Sequence, residues 1–348
     1  MRRIAAVVGL GLLLTACGSS QQAAETSSAP PAPAAPSTPA PSPTPEPEPP
    51  APTTSPFSGR QGGVGTPIMV VKLDNTPDAQ PHRGLVKADT VYVEPVEFGL
   101  TRLAAVFSTK MPDVVGPVRS ARISDIELFA PLGDISFVYS GAQGRLQPAL
   151  AAAAWTQVSE DVDSPGFSRE RGTGRYAPYN LMVDPQEILD TSGATAVSQD
   201  IGLVFDEQPP DGGKPATRMT ARWPSMSVQF RWNTEEDLYD VWMNGRQALD
   251  TDEPGVQRAA SVIVQYVKEV DSGYGDKFGG RTPLSVLTGS GKGLLLRDGV
   301  AQRITWERPY SEAPTAYLDL DGNPVELRPG QQWILLKDRT SKVTIDEP

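Results

Sequence analysis

Apolar residues are distributed along this chain in three regimes. Ile4 to Leu14 is an apolar run behind the basic start Met1-Arg2-Arg3. It has the length of a signal-peptide core and falls short of the roughly 20 residues that a spanning helix needs. Gly18 to Gly63 offers almost nothing to bury. From there onward short apolar or alternating runs recur, separated by turn residues, as in a folded domain.

The first runs after the polar stretch predict strands at Ile68–Leu73, Thr90–Val96 and Leu103–Ser108, with Asp74-Asn75 ending the first and Gly99 turning between the others. Ser124-Asp125-Ile126-Glu127 has the form of a capping box opening a short helix that Pro131 closes. Ile135–Tyr139 predicts a buried strand and Leu146–Ala154 a helix. Asp184-Pro185-Gln186-Glu187 opens another helix, with proline at its first position. Strands alternating with helices define an N-terminal mixed α/β domain over residues 64–205.

Residues 206–215 read as a linker, being rich in Pro, Gly and Asp. Beyond it the pattern changes. Asn244-Gly245, Asp298-Gly299 and Asp321-Gly322 are hairpin signals, because both positions of each pair tolerate positive φ. With strands at Val262–Val267 and Trp333–Leu336, residues 216–346 predict a mostly antiparallel, β-rich domain. The fold class expected is α+β, and no internal repeat is visible.

The apolar leader ends in Leu14-Thr15-Ala16-Cys17. This looks like the lipobox of bacterial lipoproteins, which implies cleavage after residue 17's predecessor and acylation of Cys17. Residues 1–17 are then a lipoprotein signal peptide and its anchor, and two or three acyl chains suffice for stable membrane attachment. Of the 35 prolines, 13 fall between Pro30 and Pro56. Residues 18–63 therefore predict a disordered or extended spacer, the proline-rich part reaching about 85 Å as polyproline II. The expected location is the cell membrane, lipid-anchored and facing the extracytoplasmic side.

Charge narrows the partners. The chain carries 31 basic and 42 acidic residues, a net −11, and loss of Arg2 and Arg3 with the leader makes it −13 (29 against 42). So acidic a chain lacks the clustered Lys and Arg that nucleic acid demands. A single cysteine permits no intramolecular disulfide, and a single histidine, His82, leaves no metal cluster beyond carboxylates. Asp319-Leu320-Asp321-Gly322 holds only a fragment of a calcium loop and reads as a turn. Gly289-Ser290-Gly291-Lys292-Gly293 lacks the spacing of a phosphate loop and reads as a loop between strands. No Gly-x-Ser-x-Gly elbow or Ser-x-x-Lys pair accompanies His82. No catalytic residue, cofactor or metal site is assigned.

One segment does carry chemistry: Gly116-Pro117-Val118-Arg119-Ser120-Ala121-Arg122-Ile123-Ser124-Asp125. Two arginines just before a helix start can aim guanidinium and backbone N–H groups at one carboxylate or phosphate. Glu94, Glu97 and Arg102 lie upstream. The competing reading is a purely structural network, with Arg102, Arg119 and Arg122 paired to Glu94, Glu97 and Asp125. A second basic loop, Arg169, Arg171 and Arg175, leads through Gly172 and Gly174 into Tyr176-Ala177-Pro178-Tyr179-Asn180.

These strings carry a family resemblance. Lys72-Leu73-Asp74-Asn75, Gly84 to Tyr92, Glu97 to Arg102 and Gly116 to Arg122 resemble hallmark segments of the YerB-like lipoproteins, a family of domains of unknown function. Gly289 to Trp306 and Asp319 to Leu335 resemble its C-terminal part. The resemblance implies an envelope lipoprotein without a settled activity. Family members tend to show Pro-His-Asn where this chain has Pro178-Tyr179-Asn180, and losing that histidine removes a general base.

The expectation is a binding module: Asp74, Asn75, Glu97, Arg102, Arg119, Ser120, Arg122, Asp125 and Asn180 gathered around an anionic ligand or an envelope partner. By location, cell-wall material and wall-synthesis proteins are the targets. The alternative is a wall-directed hydrolase or transferase using Glu97 and Asp125 as acid and base. A solute-binding role fits less well, since the β-rich second half does not suggest paired α/β lobes.

Overall fold

A computed structural model describes residues 52–276 and 278–347. The leader, Cys17 and the proline-rich segment up to residue 51 lie outside the described residues, with every expectation placed on them.

Strands dominate and helices are few. β1 (Met69–Asp74), β2 (Thr90–Pro95), β3 (Thr101–Phe107) and β4 (Ser136–Tyr139) form where apolar runs announce them. β5 (Thr156–Ser159) follows, too short to show a pattern. The helices are α1 (Ile123–Phe129), α2 (Gln147–Ala151) and α3 (Pro185–Ser192). α3 has its expected start: the Asp184 carboxylate accepts the Glu187 N–H at 3.1 Å, and Gly193, at φ 74°, ends it. α1 begins earlier than expected, with Arg122 at the cap and Asp125 accepting the Arg122 N–H at 2.6 Å.

A twelve-stranded sheet draws on both halves of the sequence. Ten of its strands run in the order Ala316–Leu318, Val300–Arg308, Gly289–Arg297, Ser261–Gly275, Gln332–Asp338, β2, β3, β1, β4, β5, while Arg281–Val286 pairs off this path with Ser261–Gly275 and Lys214–Pro215 with Val300–Arg308. The strand Gln332–Asp338 is the join, pairing parallel with β2 on one side and with Ser261–Gly275 on the other. Pairing in the second half is thus not only antiparallel. Hairpin signals forecast neighbours along the chain, and this strand's neighbours are distant in it. Where the signals apply they work: Asn244-Gly245 and Asp298-Gly299 have φ of 51° and 79°, and 51° and 72°.

Alternation along the strands divides the core in two. Met69, Val71, Leu73, Val91, Val93, Leu103, Trp333 and Leu335 pack with Met219, Val228 and Phe230 of a second, smaller sheet. Val70, Ala104, Phe137, Ile334 and Leu336 pack on the other face with Leu128 and Phe129 of α1 and Leu150 of α2. Trp333 is fully buried at the centre of the join, the kind of side chain whose loss costs about 3–5 kcal/mol.

Three expectations need correction. Residues 54–61, read as the end of the disordered spacer, are folded: Thr54 bridges Gln61, Phe57 is buried, and Ser58 Oγ donates to Asp89 at 2.6 Å. One aromatic ring in a polar stretch was enough to bring that stretch into the core. Gly289–Gly293 is strand, not loop, and its glycines admit Trp306 and Ile304 from the neighbouring strand. In the Asp206–Pro215 stretch, Lys214–Pro215 pairs with Val300–Arg308, and Arg297 Nη2 donates to Gln208 O at 2.5 Å.

Candidate functional site: a buried arginine–carboxylate cluster

Strand register builds the site. On the β1–β3 ladder Asp74 lies opposite Arg102, and on the β2–β3 ladder Glu94 lies opposite the same Arg102. Leu73, Val93 and Leu103 face the small sheet, so Lys72, Asp74, Glu94 and Arg102 project together toward the helices. β4 accompanies β1 only through Val71. Past it the Gly116–Arg122 segment takes the vacated edge: the Asp74 N–H donates to Pro117 O at 3.0 Å and the Arg119 N–H to Lys72 O at 2.8 Å. Gly116 permits this course, since a Cβ there would lie 2.3 Å from Met182 Sδ and 2.8 Å from Leu181 O. Arg119 and Arg122 are thereby carried over the ends of β1–β3.

Two layers result. In the upper layer Arg119 Nε donates to Asp74 Oδ2 at 2.6 Å, and Arg102 Nη1 stands 3.8 Å from Asp74 Oδ1. Arg122 holds Glu97 Oε2 through Nε at 2.9 Å and Nη2 at 2.6 Å, while Thr282 Oγ1 donates to Glu97 Oε1. Burial pushes the Asp74 and Glu97 carboxyls upward. For Asp74 the charges of Arg102 and Arg119, and for Glu97 that of Arg122, outweigh it and leave both below the usual range. Arg102 is held below the usual guanidinium range by burial first, with Arg119 and Arg122 adding repulsion against the attraction of Asp74. Its Nε is buried without a hydrogen-bond partner. Three guanidiniums face two carboxylates, an excess of one positive charge in an acidic chain.

The lower layer is sealed. Lys72 Nζ donates to Glu94 Oε1 and, at 2.7 Å, to Asp125 Oδ1, all three residues being at most 1% exposed. Glu94 is pushed up to about 8 by burial and by the neighbouring Asp125, against the pull of Lys72. Lys72 is held above its usual value, the two carboxylates overcoming burial. Burial and the neighbouring Asp125 thus favour the protonated form of Glu94, and the two acidic side chains favour the charged form of Lys72.

The predicted residues therefore separate. Asp74, Glu97, Arg102, Arg119 and Arg122 come together. Asn75 is buried beneath them, its Nδ2 donating to Thr101 Oγ1 at 2.6 Å. Ser120 is half-buried against Gly141. Asp125 belongs to the sealed layer, with Lys72 as partner rather than an arginine, and Glu94 likewise. Asn180 braces the neighbouring loop: its Nδ2 donates to Glu170 O at 3.0 Å, and its Oδ1 accepts from Arg169 at 3.3 Å. With Asp125 enclosed and Glu97 lowered, these carboxylates lack the exposed, raised acid that hydrolysis of a polymer uses.

Some participants were not foreseen. Lys72 carried a signal, a lone cation in an apolar strand, in step with Asp74. His82 is fully buried and joined through Nε2 to Asp74 O at 2.6 Å; burial holds it below its usual value, so the neutral ring donates there. Thr282 comes from the strand Arg281–Val286 of the other half, with no local signal. Tyr179 places its ring 5.5 Å from the Arg119 guanidinium carbon. Among the described residues no group of three or more His, Cys, Asp or Glu could hold a metal ion, and no helix is long and apolar enough to cross a membrane.

The geometry defines a mostly β protein with a helix-covered arginine–carboxylate cluster at the ends of three central strands. The chain belongs to the family described as "Protein of unknown function (DUF3048)", its N-terminal domain matching residues 55–198 and its C-terminal domain residues 219–334. It is 26% identical over 280 residues to "Putative lipoprotein YerB" of Bacillus subtilis (strain 168), covering 77% of this chain and 80% of that protein. The crystal structure of the Bacillus subtilis YerB protein matches with a TM-score of 0.71 at 22% identity, over 84% of this chain and 99% of that one. That likeness shows the fold.

Proposed function

We propose that this protein is a membrane-anchored lipoprotein, acylated at Cys17 and facing the extracytoplasmic side, whose folded part binds an anionic group through Arg102, Arg119 and Arg122. The lipobox-like Leu14-Thr15-Ala16-Cys17 and the name of the Bacillus relative support the anchor. The observation that carries the binding role is Arg102: a nearly buried guanidinium with an unpartnered Nε, set 3.8 Å from its carboxylate and beside two further arginines. An imperfectly paired buried charge is destabilising, so a second role for these arginines accounts for the arrangement. One serving a ligand leaves donors for it. Asp74 and Glu97 orient the arginines, and the ligand is a component of cell-wall material or an envelope protein.

The test is titration of the full chain in detergent with acetate and with inorganic phosphate, alongside Arg119→Ala. Binding that weakens at least tenfold in a variant that still unfolds cooperatively supports the site, the lost Asp74 contact lowering the melting temperature without abolishing the fold. A variant that fails to fold, or wild-type protein that takes up neither anion, points to a structural network instead. Mass spectrometry of the mature product checks the anchor; an unmodified Cys17 thiol would refute it.

A further inference from the structure

The basic loop between Arg169 and Asn180 places two aromatic rings beside the arginine cluster. Arg119, held at Nε by Asp74, lies 5.5 Å from the centre of the Tyr179 ring. Tyr176 stands edge-on to Tyr179, with centroids 5.6 Å apart and planes at 89°. The sequence Asp74, Arg119, Tyr179, Tyr176 thus leads from a carboxylate with no exposure to a ring that is 63% exposed. The loop is braced at its base: Arg169 pairs with Glu160 at 2.8 Å, and Glu170 with Arg83. The rings are held in place before any ligand arrives, which lowers the ordering cost of binding.

We propose that this arrangement is a subsite for an acidic saccharide, a sugar ring bearing one carboxylate; the inference rests on the anion-binding role proposed above. Charge selects the anion. Three guanidiniums against Asp74 and Glu97 leave one positive charge, which a monoanionic carboxylate neutralises and a phosphate dianion would overshoot. Planar guanidinium groups also match a planar carboxylate in two parallel hydrogen bonds. The body of the ligand follows from the aromatic step. Half-buried Tyr179 beside the charged group and exposed Tyr176 just beyond it offer flat apolar faces and hydroxyls. A pyranose presents a matching C–H face with hydroxyls around its rim.

Isothermal titration of the full chain in detergent separates the claims, with glucuronic acid, glucose and acetate as probes. Glucuronic acid is expected to bind at least tenfold more tightly than acetate, and glucose not measurably. Tyr176→Ala, at an exposed position, is expected to bring glucuronic acid down to the acetate level while leaving acetate unchanged; Arg119→Ala is expected to weaken both. Equal affinity for acetate and glucuronic acid overturns the saccharide subsite and leaves the anion site standing. So does a preference for glucuronic acid that survives Tyr176→Ala. Absence of binding by either acid overturns both.

Discussion

Asp74 and Arg102 are register partners on adjacent strands, yet their charged ends stop 3.8 Å apart, beyond hydrogen-bonding distance. Asp74 instead gives its best contact to Arg119, which arrives from a loop. The cross-strand arginine is left with an incomplete set of partners inside the fold. An imperfectly paired buried charge costs stability, and the ligand proposed above would complete its set of partners.

Replacing Arg102 therefore separates the two properties. Arg102→Met keeps the length of the side chain and removes an imperfectly paired buried charge. Its unfolding free energy should lie within about 1 kcal/mol of wild type, or above it, because buried ion pairs are weak stabilisers beside apolar packing. Anion binding should be lost. Urea unfolding together with acetate titration checks both, and a large destabilisation with binding intact would contradict the assignment.

Lys72 should behave in the opposite way. Among the described residues it is the one cation paired with Glu94 and Asp125 in the sealed layer. Lys72→Met strands the Asp125 carboxylate in a site without exposure and should cost about 3–5 kcal/mol. Chemical denaturation measures it; a change under about 1 kcal/mol would show the triad to be dispensable.

Glu94 gives stability a pH dependence of definite sign. Its carboxyl titrates at about 8 in the folded chain, against 4.5 for the ordinary group. Between those values the folded state keeps a proton that the unfolded state has released, so this contribution is present at low pH and lost as pH rises toward 8. Glu94→Gln mimics the protonated form and should remove the decline. The stability advantage of the variant should grow by a few kcal/mol, on the order expected for such a shift, from pH 5 to pH 8. Parallel curves for the two proteins across that range would be inconsistent with a protonated Glu94.

Gly291 is a packing requirement of the late strands. A Cβ there would lie 2.4 Å from Trp306 Nε1, which donates to Tyr266 O at 3.0 Å. Gly291→Ala should displace the indole, cost about 1–3 kcal/mol as overpacking does, and shift Trp fluorescence. An unaltered emission maximum with unaltered stability would mean the neighbouring strand yields freely.

How much of this was legible follows from range. β1–β4, the start of α3 and the Asx-Gly hairpins announce themselves, because alternation, caps and turns act over a few residues. The gathering of Asp74, Arg102, Arg119 and Arg122 was anticipated from recurring strings, not from spacing. What spacing could not supply was pairing. Nothing local tells Glu94 and Asp125 that they will meet Lys72, or Glu97 that Thr282 will come from the other half. Phe57 was hidden for a different reason: burial of one ring leaves no periodicity, and its proline-rich surroundings read as spacer.

The strand Gln332–Asp338 has a consequence for the order of assembly. β2 is synthesised early, yet one of its ladders remains unfilled until this late segment emerges and slides between it and Ser261–Gly275. An open ladder is an adhesive edge, and contacts so remote in sequence form slowly. The nascent protein is thus a zipper whose slider is made near the end. Deleting that segment would not shorten the molecule but leave its two halves without a seam.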